Sequence, residues 1–180
     1  PNGSVNWKFK TGEKISSTPA IDENNHIYFT SWDGHLYAVY PNGTEKWKKY
    51  LPGDGVNNFY CSPAIDPEEN IICRGSAGSR NLYKISNNGT IIWKRPLVWE
   101  YSSPTIDKNG IIYITSASDL VCFYPNKDLK WFVKGGGSRT SPAIGEDGTI
   151  YHISGAIDAF GSREPYDPIL QLDGYGNENV

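Results

Sequence analysis

A short signature returns four times along the chain and restricts its fold more than any other feature. Thr18-Pro19-Ala20-Ile21-Asp22 recurs as Ser62-Pro63-Ala64-Ile65-Asp66, as Ser103-Pro104-Thr105-Ile106-Asp107 and as Ser141-Pro142-Ala143-Ile144-Gly145, with the prolines stepping by 44, 41 and 38 residues. A period of this size marks an array in which one supersecondary unit stacks on its neighbours, and it overrides any purely local reading. Each signature is followed by an apolar pair (Ile27-Tyr28, Ile71-Ile72, Ile112-Tyr113, Ile150-Tyr151), a polar loop, and a second short apolar run starting at Leu36, Leu82, Leu120 or Ile157. An Asn-Gly turn then leads to a tryptophan: Asn42-Gly43 to Trp47, Asn88-Gly89 to Trp93, and a weaker Asn126-Lys127 to Trp131. Asn2-Gly3 to Trp7 opens the chain in the same way.

Each unit therefore offers three or four short strands with turn chemistry at every boundary. Asn-Gly favours a two-residue hairpin, so the run before it and the tryptophan strand after it are expected to pair. Nineteen glycines and twelve prolines in 180 residues oppose long helices, and twelve tyrosines and six tryptophans favour strands, so the fold class is all-β. The longest apolar stretches, Leu36 to Tyr40 and Leu120 to Tyr124, are far shorter than a membrane helix. A net charge of -3 with both signs scattered gives no drive toward nucleic acid. The absence of methionine and the start at Pro1, inside a turn-like Pro-Asn-Gly, suggest a piece of a longer chain.

One small sheet cannot bury two faces alone, whereas repeated sheets can stack around an axis as a β-propeller. The succession Trp, Ser-Pro-Ala-Ile-Asp, Ile-Tyr, Asp33-Gly34-His35-Leu36-Tyr37-Ala38, Asn-Gly and Trp resembles the PQQ-like β-propeller repeat of quinoprotein dehydrogenases, over residues 1–160. The resemblance implies units of about 1–40, 41–86, 87–124 and 125–160, with the proline strand innermost and the tryptophan strand outermost, and a tail at 161–180 outside the repeat. Trp7, Trp47, Trp93 and Trp131 are then core residues. The fourth unit lacks a following Asn-Gly-to-Trp segment, and Ser4 to Lys10 has no earlier unit to belong to. Either that segment closes a four-bladed ring or the chain is an arc of a larger propeller. Members of the family usually have seven or eight blades, which favours the half-propeller, completed by further sequence or by a second copy.

Loop lengths point to a working face. From tryptophan to the next proline the gap runs 12, 16, 11 and 11 residues, and the loop between second and third strands also varies; in a propeller both loop classes emerge on one face. That face is expected to carry Trp32, Asp33, Phe59, Tyr60 and Arg74, together with Arg80, Trp99, Tyr101 and Arg139, since aromatic and arginine residues commonly anchor interfaces. The alternative is that about half of them seal blade-to-blade contacts.

Catalytic sets are not complete. The quinone-dependent enzymes that the resemblance brings in carry adjacent cysteines, calcium-binding carboxylates and a catalytic aspartate, and no two cysteines here are adjacent. Asp22, Asp66 and Asp107 recur at turn positions, where aspartate commonly bonds its own backbone. His26, His35 and His152 have no metal-ligand spacing, so neither cofactor nor metal is expected. Cys61, Cys73 and Cys122 match no zinc or redox motif; a Cys61–Cys73 disulfide is conceivable across a hairpin, but buried free thiols are the simpler expectation. Asn2, Asn42 and Asn88 each head an Asn-Gly-Ser/Thr acceptor pattern for glycosylation, although the hairpin turn alone accounts for Asn-Gly. The preferred reading is a non-catalytic, extracytoplasmic propeller that binds a protein partner or self-associates through blade edges. A carbohydrate or small-ligand sensor, using Trp32 and Trp99, and a fragment of a PQQ-dependent dehydrogenase are the rivals.

Overall fold

The computed structural model describes residues 2–51, 60–75, 79–97, 101–116, 119–134, 140–153 and 156–161. These residues form four antiparallel sheets, each a meander in chain order. The first comprises β1 (Ala20–Ile21), β2 (Ile27–Ser31), β3 (His35–Val39) and β4 (Glu45–Tyr50). The second comprises β5 (Ala64–Ile65), β6 (Ile71–Arg74), β7 (Asn81–Ile85) and β8 (Ile91–Pro96). The third comprises β9 (Thr105–Ile106), β10 (Ile112–Ser116), β11 (Asp119–Phe123) and β12 (Leu129–Val133), and the fourth has β13 (Ala143–Ile144), β14 (Ile150–Ile153) and β15 (Ile157–Phe160). Among the described residues no helix is long and apolar enough to cross a membrane.

Turn chemistry sets the strand boundaries. After the inner strands of the first three sheets, one aspartate oxygen accepts two backbone N–H groups: Asp22 Oδ1 from Asn24 (3.0 Å) and His26 (2.8 Å), Asp66 Oδ1 from Glu68 and Asn70 (both 2.9 Å), and Asp107 Oδ1 from Asn109 (2.8 Å) and Ile111 (2.9 Å). These carboxylates are the self-bonding turn residues that their positions imply. Between third and outer strands, Asn42 Oδ1 accepts the Thr44 N–H at 3.0 Å while Gly43 takes φ +85°; Gly89 repeats this at +86°. Lys127 holds the same left-handed conformation at φ 77° without glycine's freedom, which explains how the weaker copy still turns.

The sheets pack face to face. Tyr28, Leu36 and Ala38 of the first bury against Ile71, Cys73, Tyr83 and Ile85 of the second. Ile72 and Leu82 meet Ile112, Ile114, Val121 and Phe123, and Tyr113, Leu120 and Cys122 meet Ile150 with Phe160 alongside. Because both faces of the middle sheets are buried, their central strands read as continuous apolar runs rather than as alternating ones. The three cysteines are free and buried, and no disulfide joins Cys61 to Cys73.

Two sets of polar contacts lock neighbouring sheets together. At the inner edge, where β1, β5 and β9 lie side by side, the Thr18 N–H donates to Ser62 Oγ (2.8 Å), Ser62 N–H to Ser103 Oγ (2.8 Å) and Ser103 N–H to Ser141 Oγ (2.9 Å). The serine before each later proline thus takes an N–H that the proline strand of the preceding sheet cannot satisfy itself. At the outer edge, the tryptophans of the first two sheets reach the next sheet's hairpin turn: Trp47 Nε1 donates to the Asn87 carbonyl (2.8 Å) and Trp93 Nε1 to the Pro125 carbonyl (3.0 Å). The Trp47 ring lies so close over Gly89 that a Cβ there would sit 3.1 Å from the indole.

Trp7 makes the same contact with the first sheet. Its Nε1 donates to the Pro41 carbonyl at 2.9 Å, its ring lies against Gly43, and Phe9 packs edge-on to Phe29 and Tyr37. Residues 4–10 therefore stand where the outer strand of a preceding sheet belongs, yet among the described residues they pair with no strand. At the other end β15 is a sheet edge among the described residues. The described sheets form an open arc, not a closed four-bladed ring.

Candidate functional site

Trp32, in the loop between β2 and β3, meets the described residues that lead into β5 and β9. It packs edge-to-face with Tyr60 at 5.1 Å between ring centroids, and Tyr60 packs with Tyr101 at 4.7 Å. Tyr60 and Tyr101 occupy equivalent positions, two residues ahead of Ser62 and Ser103, so a row of aromatics crosses three successive sheets at the spacing the fold imposes. Ser16 holds the equivalent position in the first unit, and its hydroxyl accepts from Trp32 Nε1 at 2.8 Å, which fixes the indole beside Tyr60. Lys14 Nζ lies 3.4 Å from the Trp32 ring centroid, a cation–π contact that the sequence reading did not single out. Trp32 and Tyr101 are half-buried and Tyr60 is 40% exposed, so the row presents aromatic edges to solvent while its inner side is packed.

Asp33 has a different role. Its Oδ2 accepts the Tyr37 hydroxyl (2.6 Å) and the Gly12 N–H (2.9 Å), and its Oδ1 accepts the His35 N–H (3.2 Å). Burial alone would raise this carboxyl, but the bonds from Tyr37, Gly12 and His35 outweigh burial and hold it below the usual value. Asp33 thus straps the segment before β1 onto the first sheet. Arg74 is not an exposed anchor: it is 4% exposed and its guanidinium donates to the Thr115 carbonyl at 3.0 Å, bridging the second and third sheets. It stands where the first and third sheets have Thr30 and Thr115, whose hydroxyls donate to the Cys61 and Thr140 carbonyls of the next sheet. Arg80 is exposed and takes φ 45° where the first sheet has Gly34; both carbonyls accept the N–H of a buried leucine, Leu97 and Leu51. A non-glycine residue in that region is strained, which singles Arg80 out on the loop face. Phe59, Trp99 and Arg139 lie outside the described residues.

Other chemistry is sparse. Among the described residues no group of three or more His, Cys, Asp or Glu side chains is placed to hold a metal. The Asn2, Asn42 and Asn88 side chains are exposed on their turns, and Asn2 and Asn42 accept the hydroxyl of the following Ser4 or Thr44 at 2.7 Å. A cleft of about 480 Å³ opens between the third and fourth sheets, with Tyr113, Lys130 and Trp131 on one side and Gly145, Gly148 and Gly161 on the other. The three glycines replace side chains that the first and second sheets carry at these turns.

No family model matches the chain, and no curated protein sequence matches it. Solved structures do. BamB from Moraxella catarrhalis superposes with a TM-score of 0.68 at 16% identity, covering 88% of this chain and 50% of its own. A protein of unknown function from Bacteroides caccae gives 0.57 at 18% identity, covering 79% and 53%. The chain spans about half the length of these structures, and at such identities the likeness concerns the fold: the four sheets are consecutive blades of a partial β-propeller.

Proposed function

We propose that the chain is a protein-interaction scaffold of an extracytoplasmic propeller, binding its partner through the loop face. The observation that carries this reading is the Trp32–Tyr60–Tyr101 row, three large aromatics brought from three blades into one partly exposed strip. Aromatic residues on a rigid support contribute large contact area at small entropic cost, which suits an interface anchor. Arg80, exposed in the loop between β6 and β7 at φ 45°, adds a charged group to the loops of the second sheet. The fold likeness to BamB and the resemblance to repeats that serve as assembly scaffolds support the extracytoplasmic setting.

The test compares the wild-type chain with Trp32→Ala/Tyr60→Ala and with Lys48→Ala/Lys94→Ala on the outer strands, each used as bait in a periplasmic extract with quantitative readout. A partner held by the wild type and the outer-strand variant, and lost at least tenfold by the aromatic variant, supports the reading. A partner lost only by the outer-strand variant, or retention unaffected by the aromatic pair, refutes it. A glycan array run with the same proteins separates the sensor alternative: signals abolished by Trp32→Ala would replace the protein partner with a carbohydrate.

A further inference from the structure

β14 turns alternate residues to its two sides. Ile150 and His152 are buried, whereas Tyr151 and Ile153 face away and are exposed. Ile150 packs on Tyr113, Leu120 and Cys122 of the third sheet, so His152, two residues further on, is turned into the same junction between the third and fourth sheets, where it is 2% exposed. In the other sheets this position holds Phe29, Cys73 or Ile114, each paired across to Tyr37, Tyr83 or Val121. All six are buried apolar or aromatic residues. The fourth sheet instead pairs His152 with Asp158. Groups that titrate in the acid range therefore stand where the other three sheets carry packing residues.

His152 Nε2 is buried without a hydrogen-bond partner among the described residues. A neutral imidazole tolerates this by keeping its proton on Nδ1 and leaving Nε2 as a bare acceptor. Protonation puts an N–H on both nitrogens, which adds an unmet donor to the cost of a buried charge. The surrounding groups do not offset that cost. Asp158, on β15, favours the charged form, but burial outweighs it and holds His152 below its ordinary value of 6.5. From the third sheet, the titratable residues packed on the junction are Tyr113 and Cys122, a phenol and a thiol that gain no charge on acidification. The Tyr113 hydroxyl is directed to Asp107, 3.4 Å away. On β12, Trp131 packs on the junction and Lys130 lines the cleft beside it, a cation that opposes a second positive charge. β13 contributes only Ala143 and Ile144, and Glu146 and Asp147 are exposed on the turn that follows it.

We infer that His152 makes the junction between the third and fourth blades acid-sensitive, the fourth blade being held on the third at neutral pH and released as the imidazole takes up a proton. A fourth blade that has come away from the third takes up that proton at the ordinary value, the docked blade only at a lower one. The open form therefore gains by up to tenfold for each pH unit below 6.5, until the folded value is reached. Such an opening is local, because the junction between the first and second sheets has Cys73 at this position. The other two histidines, His26 and His35, lie on the first sheet beside Asp22 and Asp33.

Two cysteines report the two junctions separately. Cys122 is buried where the third and fourth sheets meet, Cys73 where the first and second meet. The full 180-residue chain is treated with a pyridyl disulfide, which reacts with thiols in acid as well as at neutral pH, and the labelling rate of each cysteine is divided by its rate in the denatured chain at the same pH. Between about pH 7 and about pH 5 the Cys122 rate is expected to rise at least threefold, with its onset near 6.5, while the Cys73 rate stays level. His152→Phe, which installs the residue of the first sheet, and His152→Asn, which keeps a polar side chain that does not titrate, are each expected to abolish the rise. Circular dichroism establishes which variants are folded. Where neither is, the wild-type comparison of Cys122 with Cys73 decides, together with an imidazole titration of His152 by NMR, which must fall below 6.5. A Cys122 rate that does not change, a rise shared by Cys73, or a rise that persists in a folded variant lacking the imidazole overturns the inference.

Discussion

Replacing Gly89 by alanine tests the contact by which each blade grips the next. Gly89 has φ +86°, a region that costs an L-residue about 1 to 2 kcal/mol. The new methyl would also meet Trp47, 3.1 Å from Cδ2 and 3.4 Å from Cε2 and Cε3, inside the usual carbon–carbon separation of about 3.5–4.0 Å. The ring cannot retreat freely, because Tyr28 packs against it at 5.9 Å between centroids and Nε1 is bonded to the Asn87 carbonyl. Overpacking of this kind costs about 1 kcal/mol or more. Gly89→Ala is therefore expected to cost about 2 to 3 kcal/mol. Gly148 is the internal control: its φ is +83°, but nothing lies within 4 Å of an added Cβ, so Gly148→Ala carries only the backbone cost of about 1 to 2 kcal/mol. Gly43→Ala should exceed both, since its Cβ would fall 2.6 Å from the Trp7 ring. Urea unfolding followed by tryptophan fluorescence reads the differences, and thermal midpoints should fall by about 2–4 °C per kcal/mol. Equal losses for Gly89→Ala and Gly148→Ala would show that the tryptophan does not press on the turn, and would remove the physical basis assigned to the Asn-Gly-to-Trp repeat.

Three further expectations follow from the polar contacts. Ser103→Ala removes the acceptor of the Ser62 N–H and should cost about 1 kcal/mol, while Thr18→Ala, whose hydroxyl receives no bond from a neighbouring blade among the described residues, should cost less by the same unfolding assay. Lys84 is 5% exposed with Nζ 2.8 Å from Asp66 and 3.1 Å from Glu68, so Lys84→Met strands a buried carboxylate and should cost about 3 to 5 kcal/mol. Burial alone would lower the Lys84 pKa, but Asp66 and Glu68 outweigh it and the net direction is upward from 10.5. That contribution is therefore fully present below pH 10.5 and is lost as pH rises through the higher folded value, a decline that stability measured in alkaline buffers should show and Lys84→Met should lack. Burial pushes the Cys61 thiol up to about 11 and raises Cys73 as well, so a thiol reagent at about pH 8 should label neither in the native chain and all three cysteines in denaturant.

Much of the architecture was legible because a propeller blade writes its geometry into residues with few alternatives. Asn-Gly marks a turn that needs left-handed backbone, Asp22, Asp66 and Asp107 mark turns that need a carboxylate to take two N–H groups, and both hold in the structure. The candidate face was legible in part. Trp32, Tyr60 and Tyr101 were singled out as loop aromatics on one side, and they pack together there. Arg74 came with them on residue type alone, and no local signal separates an arginine that reaches solvent from one that spans a blade junction to the Thr115 carbonyl. Lys14 and the strap from Gly12 to Asp33 lay outside the repeat and carried no motif.

The sequence by itself determined the repeat, the strand order within each sheet and the turns between strands, because these depend on backbone conformation and hydrogen bonding over a few residues. Only the tertiary structure decided what lies between sheets: that the pre-proline serines form a ladder across blades, that Trp7 grips the first blade, and that Arg74 spans a blade junction. Those features join residues about forty positions apart. Their energies come from desolvation and close packing at surfaces that exist only once neighbouring sheets have docked.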